Sequence, residues 1–299
     1  MKPILFTLGT HPLTVPLCET LVLEQGKLDQ RRFPDGESYL RVESDVNGRQ
    51  CLVLVSLAWP DENFLPLAFL SDTLRELGAT SVGLVAPYLC YMRQDCRFMD
   101  GEAITSRTFA GLVSDKFDWL VTVDPHLHRY QSLNEIYRIP NQVVQAAPEL
   151  ANWLGSKSQI LLVGPDAESE QWVAQIAGQS GHPFVIGEKE RRGDRDVVVS
   201  LPDLSCYQDY TAVIIDDVIA SGHTLLQCME ALQQHGIQQI ECAAVHGIFA
   251  DKIDRQLVEN GLQQLVTTNS IPHRSNQIDL SELLCDPIRQ CILKGVVRA

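Results

Sequence analysis

The sequence predicts an α/β protein with two domains built on parallel sheets. Three observations carry that prediction. Short apolar runs rich in β-branched residues alternate with stretches of helical periodicity along the whole chain. Several of those runs are apolar on both faces, as strands covered by helices on both sides must be. The chain has 299 residues, and domains of roughly 150 residues make that two.

The strand candidates are 4–7, 51–56, 81–86, 119–123, 160–163, 184–186, 197–199, 212–215, 240–245 and 264–267. Helical periodicity fits 64–77, 105–114, 168–177, 224–235 and 252–259. The last three helices run into Gly178, Gly236 and Gly261, which suit the left-handed residue that closes a helix. A weak internal echo is present. The run 51–56 passes through Trp-Pro-Asp-Glu-Asn into a helix, and the run 160–163 passes through Gly-Pro-Asp-Ala-Glu into another. Asp124 and Asp216 each end an apolar run. Pro-Asp after a strand is a common turn, so the echo adds only a little weight to two similar domains. Pro140 and Pro148 flank a polar stretch, which places the seam near 143, between domains 1–143 and 144–285.

Composition excludes several functions. The net charge of −14 argues against a non-specific nucleic-acid binder, which needs a basic face, and against a surface drawn to anionic lipid. It leaves anionic substrates open, because a local cluster or a bound metal can dominate a site. Nine cysteines occur without a CxxC pair, which reads as free thiols in a reducing compartment. The first residues lack a signal peptide's apolar core, and no apolar run is long enough to cross a membrane. The expectation is a cytoplasmic protein.

GxxxxGK[ST], GxGxxG, HExxH and GxSxG are all absent. The most informative segment is 213–224, an apolar strand that runs into Asp216 and Asp217, then a small Gly-containing loop, then a helix. Ligands of open α/β sheets sit beyond the carboxyl ends of strands. The acids suit ribose hydroxyls or a divalent metal, and residues 221–224 suit a phosphate at a helix N-terminus. An N-capped helix after a strand explains each feature singly but not their combination. Residues 119–128 repeat the layout, with Asp124, His126 and His128 as candidate metal ligands. A surface turn with two solvated histidines fits that segment equally well. In the mixed-charge run 187–196, Lys189 and Arg191 would form a mobile cationic clamp over phosphate, or the run is a solvated loop. Arg32-Phe-Pro-Asp-Gly-Glu37 reads as a surface turn, or as Phe33 stacking on a base beside two acids. Arg93 and Gln94 follow a strand end and suit phosphate and a base edge, with a flap at 97–102. A loop ion pair fits them as well.

Taken together and in order, RFPDGE (32–37), PYLCYMRQD (87–95), EAIT (102–105), VDPH (123–126), GPD (164–166), KER (189–191), DDVIASGHT (216–224) and TNSI (268–271) resemble the ribose-phosphate pyrophosphokinase family. The resemblance runs from about residue 5 to near the C-terminus. It implies two phosphoribosyltransferase-like domains related by a pseudo-two-fold, with the tail 286–299 packed back on the first. It implies transfer of the β,γ-pyrophosphoryl group of Mg·ATP to the 1-hydroxyl of ribose 5-phosphate, giving phosphoribosyl pyrophosphate (PRPP) and AMP. Matched position by position, Phe33, Asp35 and Glu37 would reach an adenine pocket from a neighbouring subunit of a homo-oligomer. Arg93 and Gln94 would bind ATP, and His126 and Asp166 would hold Mg²⁺. Asp216 and Asp217 would take the ribose hydroxyls, directly or through a second Mg²⁺, and Ser221, Gly222 and Thr224 the 5-phosphate. Lys189 and Arg191 would stabilise charge as the bond to the α-phosphate breaks. The partners implied are these two small molecules, with no nucleic acid and no membrane.

The sequence departs from the family at several points. Ala220 and His223 stand in the sugar-phosphate loop where Asp and Gly are common, and Glu168-Ser169 replaces a Gly pair. Cys96, Phe98 and Gly101 stand where the flap is often basic, and 127–130 replaces the Gln-rich segment tied to allostery in the best-known class. A PRPP-consuming phosphoribosyltransferase would share DDVIASGHT but has no need of an ATP adenine pocket. A non-catalytic partner of a true synthetase would not need Lys189, Arg191, His126 and Asp166.

Overall fold

The computed structural model describes residues 1–191 and 197–294. The chain forms two units. One is Met1–Gln145 with Ser270–Pro272 and the chain from Leu280, and the other is Ala146–Asn269 with His273–Asp279.

In the first unit the chain runs β1 (Ile4–Thr7), α1 (Thr14–Thr20), β2 (Glu24–Gln25), β3 (Leu28–Arg32), β4 (Ser38–Val42), β5 (Gln50–Leu54), α2 (Pro60–Glu76), β6 (Ser81–Val85), α3 (Thr105–Lys116), β7 (Trp119–Val123) and β8 (Asn141–Val144). Six strands form a sheet in the order β2-β1-β5-β6-β7-β8, and every neighbouring pair is parallel. β3 and β4 stand apart as an antiparallel hairpin. β6 and β7 are buried along their whole length, which is why their sequences are apolar on both faces. Gly83 of β6 lies opposite Trp119 of β7. A Cβ there would come within 2.0 Å of the indole, so glycine is what lets the large ring lie against the neighbouring strand.

The second unit runs α4 (Ala147–Leu154), β9 (Ile160–Gly164), α5 (Glu170–Ser180), β10 (Phe184–Ile186), β11 (Glu188–Arg191), β12 (Val197–Ser200), β13 (Thr211–Ile219), α6 (His223–Gln234), β14 (Ile240–Gly247), α7 (Ile253–Glu259), β15 (Gln264–Thr268) and β16 (Asn276–Ile278). Its sheet has the order β10-β9-β13-β14-β15-β16, again parallel throughout, and β11–β12 is an antiparallel hairpin. The two units share one topology. The second strand of each lies at the sheet edge beside the first, a hairpin follows it, and the third to sixth strands add in sequence. The last described element is α8 (Ser281–Lys294), which packs on α1, β7 and β8 of the first unit. Among the described residues no helix is long and apolar enough to cross a membrane.

The internal echo in the sequence does not follow this repeat. β5 is the third strand of its sheet and β9 the first of its own, so the two Pro-Asp turns occupy non-equivalent places. They are alike because turns favour those residues. Gly178 does not close α5 either. It lies inside the helix, and Gly181 takes the left-handed C-cap position with φ 77°. Gly236 and Gly261 do follow α6 and α7, with φ of 86° and 99°. Pro148 sits in the first turn of α4 rather than in a linker, a place where proline's missing N–H costs nothing.

His11 lies in the turn between β1 and α1 and is buried. Its Nδ1 accepts the Leu13 N–H at 3.3 Å. Burial lowers its pKa to about 4, against the backbone at Ser270, which raises it. A histidine held neutral in the fold stabilises at neutral pH and loses that contribution as pH falls from its unfolded value towards its folded one. Between pH 7 and pH 5 this group alone should remove about 2 kcal/mol of stability. Urea unfolding of the wild type and of His11→Gln at both pH values checks this: the wild type should lose more than the variant by that amount.

Candidate active site

In the second unit, adjacent parallel strands deliver the site's charged groups. β9 and β10 run side by side, and Gly187 N donates to Gly164 O at 2.8 Å. The chain leaves both strands at the same level, so Asp166 and Lys189 emerge together. The Lys189 ammonium pairs with the Asp166 carboxylate. The other Asp166 oxygen accepts the N–H groups of Glu168 at 3.1 Å and Ser169 at 3.2 Å, capping a short 3₁₀ turn. Lys189 therefore sits on a hairpin arm rather than in the irregular loop that its charge run suggests, because β12 supplies a β-branched partner for β11. The side chain of Arg191 lies outside the described residues.

Asp216 and Asp217 lie within β13, not beyond it. The pairing with β9 extends only over Thr211–Ile214, while the pairing with β14 continues to Ile219. Both acids thus stand past the carboxyl end of β9, where that neighbour has gone and ligand space begins. Enclosure by protein lifts the Asp216 carboxyl well above the ordinary carboxylate range, and the nearby Asp217 and Asp166 carboxylates lift it further.

After β13 the chain turns through Ala220 and Ser221 into Gly222, the N-cap of α6. Ser221 and His223 are exposed, and Thr224 is half-buried. Gly222 has φ 68°, and a Cβ there would lie 2.2 Å from Ile253 Cγ1. The loop after β14 braces this turn: Ala250 N donates to Ala220 O at 3.0 Å, and Ile248 N to Ile219 O at 2.9 Å. That loop holds Phe249, Asp251 and Lys252 in left-handed backbone. The sequence carries no sign of it, since these are not turn-type glycines. Gly222→Ala should destabilise the protein by about 2–3 kcal/mol, from a left-handed β-carbon and overpacking against Ile253. An unchanged melting temperature would show that the turn is not braced in this way.

In the first unit, the turn of the β3–β4 hairpin carries the RFPDGE residues. Phe33 N donates to Glu37 O at 2.8 Å, and Asp35 Oδ1 accepts the Glu37 N–H at 3.1 Å. Phe33 is exposed, edge-on to Tyr39 at 5.9 Å, with the Arg31 guanidinium over both rings. Arg93 and Gln94 follow β6 and are exposed. Gln94 Oε1 accepts the Thr105 hydroxyl at 2.8 Å. The flap folds onto Glu102, whose carboxylate accepts Phe98 N at 2.8 Å and Met99 N at 3.1 Å. Past β7, His126 and His128 come together, with His128 Nε2 3.2 Å from His126 Nδ1. His126 belongs to the first unit and Asp166 to the second.

Comparison with known proteins agrees with this layout. A family profile described as the N-terminal domain of ribose phosphate pyrophosphokinase matches residues 4–115, and one for the phosphoribosyl transferase domain matches 132–279. The ribose-phosphate pyrophosphokinase of Sulfurisphaera tokodaii is 30% identical over 86% of this chain and 89% of its own length. That of Methanobrevibacter smithii is 29% identical over 94% of this chain and 98% of its own. The crystal structure of phosphoribosylpyrophosphate synthetase from Mycobacterium smegmatis superposes with a TM-score of 0.84 at 23% identity, covering 99% of this chain and all of that one. The crystal structure establishes the same two-domain α/β fold, and the profile and sequence matches establish kinship: this chain belongs to the ribose-phosphate pyrophosphokinase family.

Proposed function

We infer that this chain moves the β,γ-pyrophosphoryl group of ATP to the 1-hydroxyl of ribose 5-phosphate. The hydroxyl oxygen bonds to the β-phosphorus, and the bond from that phosphorus to the oxygen bridging the α-phosphate breaks. AMP leaves with the electron pair, and the hydroxyl proton goes to solvent. The observation that carries the reading is one unit holding an acid pair, a braced turn at a helix start and a lysine beside a third carboxylate. Such a transfer needs positioning and charge neutralisation more than covalent chemistry.

Each predicted residue then has a task. Asp216 and Asp217 hold the ribose hydroxyls, and Ser221, Gly222 and Thr224 hold the 5-phosphate. Lys189 and Arg191 meet the charge that develops at the α–β bridge. Arg93 and Gln94 grip ATP, while Phe33, Asp35 and Glu37 close an adenine pocket from a second copy of the chain, which makes the enzyme a homo-oligomer. Three crowded carboxylates, one of them pushed towards its protonated form, fit a divalent cation that prefers oxygen ligands. Asp166 of the second unit and His126 of the first would each serve as Mg²⁺ ligands. When bound, the ion neutralises and orients phosphate oxygens. The Lys189–Asp166 pair would open as that charge arrives, freeing the ammonium for phosphate. All nine cysteines are free, which suits a reducing compartment and thus the cytoplasm.

Incubation with Mg²⁺, ATP and ribose 5-phosphate, followed by ion-exchange separation of nucleotides, tests the reading. One AMP should form for each ATP consumed. ADP in its place would mean transfer of a single phosphoryl group, and unchanged ATP would remove the assignment.

A further inference from the structure

We propose that His273 and Asp254 are positioning residues for the sugar-phosphate turn, acting through the left-handed segment that braces it. The proposal rests on the reading that gives Ser221, Gly222 and Thr224 the 5-phosphate, and it adds the groups that hold that turn in shape.

The turn leans on residues 249–253. Ala250 N donates to Ala220 O at 3.0 Å, and Ile253 Cγ1 lies 2.2 Å from where a Gly222 Cβ would be. Within this segment Phe249, Asp251 and Lys252 have φ of 53°, 54° and 60°. Non-glycine residues keep such a backbone only where their surroundings over-determine it. Both ends of the segment therefore need an anchor.

The turn before β16 supplies both. At the first end the Phe249 ring is buried, with the His273 ring centroid 4.5 Å away and the planes inclined at 43°. Gly247 leaves room for the same ring, since a Cβ there would come within 2.2 Å of it. At the second end Asp254, in the first turn of α7, is buried. Its Oδ2 accepts the Arg274 guanidinium at 2.6 Å and faces His273 Nε2 at 3.6 Å. A carboxylate taken out of water needs such partners. One imidazole thus meets both ends of the brace.

Hydrogen bonds on the opposite edge fix how that imidazole stands. His273 Nδ1 accepts the Ser275 N–H at 3.2 Å and lies 2.7 Å from Ser275 Oγ. Nδ1 therefore carries no proton, and the Ser275 hydroxyl donates to it. The Thr267 hydroxyl, 2.7 Å from Ser275 Oγ, donates in turn, and Asn276 Nδ2 donates to Thr267 Oγ1 at 3.0 Å. The ring proton is then on Nε2, on the side of Asp254. Burial lowers the His273 pKa, and Asp254 opposes that shift.

Two measurements on the purified full chain test this without turnover. Amide hydrogen exchange over residues 219–226 reports on the turn itself. Calorimetry reports the binding of ribose 5-phosphate and of Mg·ATP, each alone. Asp254→Ala and His273→Ala should speed exchange at the turn and weaken ribose 5-phosphate roughly five- to tenfold, with Mg·ATP affinity kept within about twofold. Asp254→Asn, which keeps the shape but not the charge, should move the same way, and with a thermal melt of each protein it guards against a folding defect in the alanine variants. Unchanged exchange at the turn would overturn the proposal. So would ribose 5-phosphate affinity in the folded variants equal to a measurable wild-type value, or an equal weakening of both ligands, which marks general loosening. Faster exchange in the variants with no ribose 5-phosphate binding by the wild type would overturn the sugar-phosphate reading instead and leave the brace standing.

Discussion

Lys189→Ala is expected to lower kcat by about 10²–10³-fold, the size of losing one preorganised donor aimed at developing charge, while KM for ATP changes little. In the resting protein the ammonium rests on Asp166, so it is not committed to substrate binding in the ground state. In the proposed reaction its contribution would fall where the α–β bridge breaks, and a group acting only there lowers kcat and kcat/KM together. Stability should barely move. Lys189 is 38% exposed, and an exposed ion pair contributes about 0–1 kcal/mol. Asp166 also keeps its two backbone N–H donors when the lysine is gone. Steady-state kinetics and a thermal melt of the same preparation check both halves. An unchanged kcat would remove Lys189 from the chemistry.

Asp216→Asn should do two things in opposite directions. On the proposed reading activity should fall by about 10²-fold or more, because the carboxylate proposed to orient the ribose hydroxyls or the cation becomes a neutral amide. Stability at pH 8 should rise. The Asp216 carboxyl is raised above its unfolded value by enclosure and by two neighbouring acids, so the fold favours its protonated form. The stability tied to that form is present at low pH and is lost as pH climbs from the ordinary carboxyl range through the raised folded value. Asparagine does not titrate and escapes the loss. The variant should therefore melt above the wild type at pH 8, with the gap closing towards pH 4. A variant less stable than the wild type at pH 8 would mean that Asp216 is satisfied by partners rather than crowded by acids.

How far the sequence speaks for itself differs between elements. Strands such as β5, β6 and β9 are legible because burial on both faces demands an unbroken apolar run. The β3–β4 hairpin is not, because β3 is largely exposed, β4 is mostly half-buried, and no alternation marks a face. α1 spans seven residues and β2 two, too short for either period to register. At the site, residue types announce the chemistry, but their placement depends on pairing. Asp216 and Asp217 look like a strand's end in sequence and are mid-strand in space, since β14 carries β13 onward after β9 stops. Lys189 and Asp166 meet only because β9 and β10 are neighbours. The left-handed run at Phe249, Asp251 and Lys252 is imposed by packing around the Gly222 turn and leaves no mark in composition.

The most direct test of the central claim is ³¹P NMR of the purified protein with Mg²⁺, ATP and ribose 5-phosphate labelled with ¹³C at carbon 1. The account predicts equal amounts of AMP and a new diphosphate ester whose inner phosphorus is coupled to the labelled carbon. AMP with free pyrophosphate and unaltered ribose 5-phosphate, or a phosphorylated sugar whose new phosphorus shows no coupling to carbon 1, would contradict it.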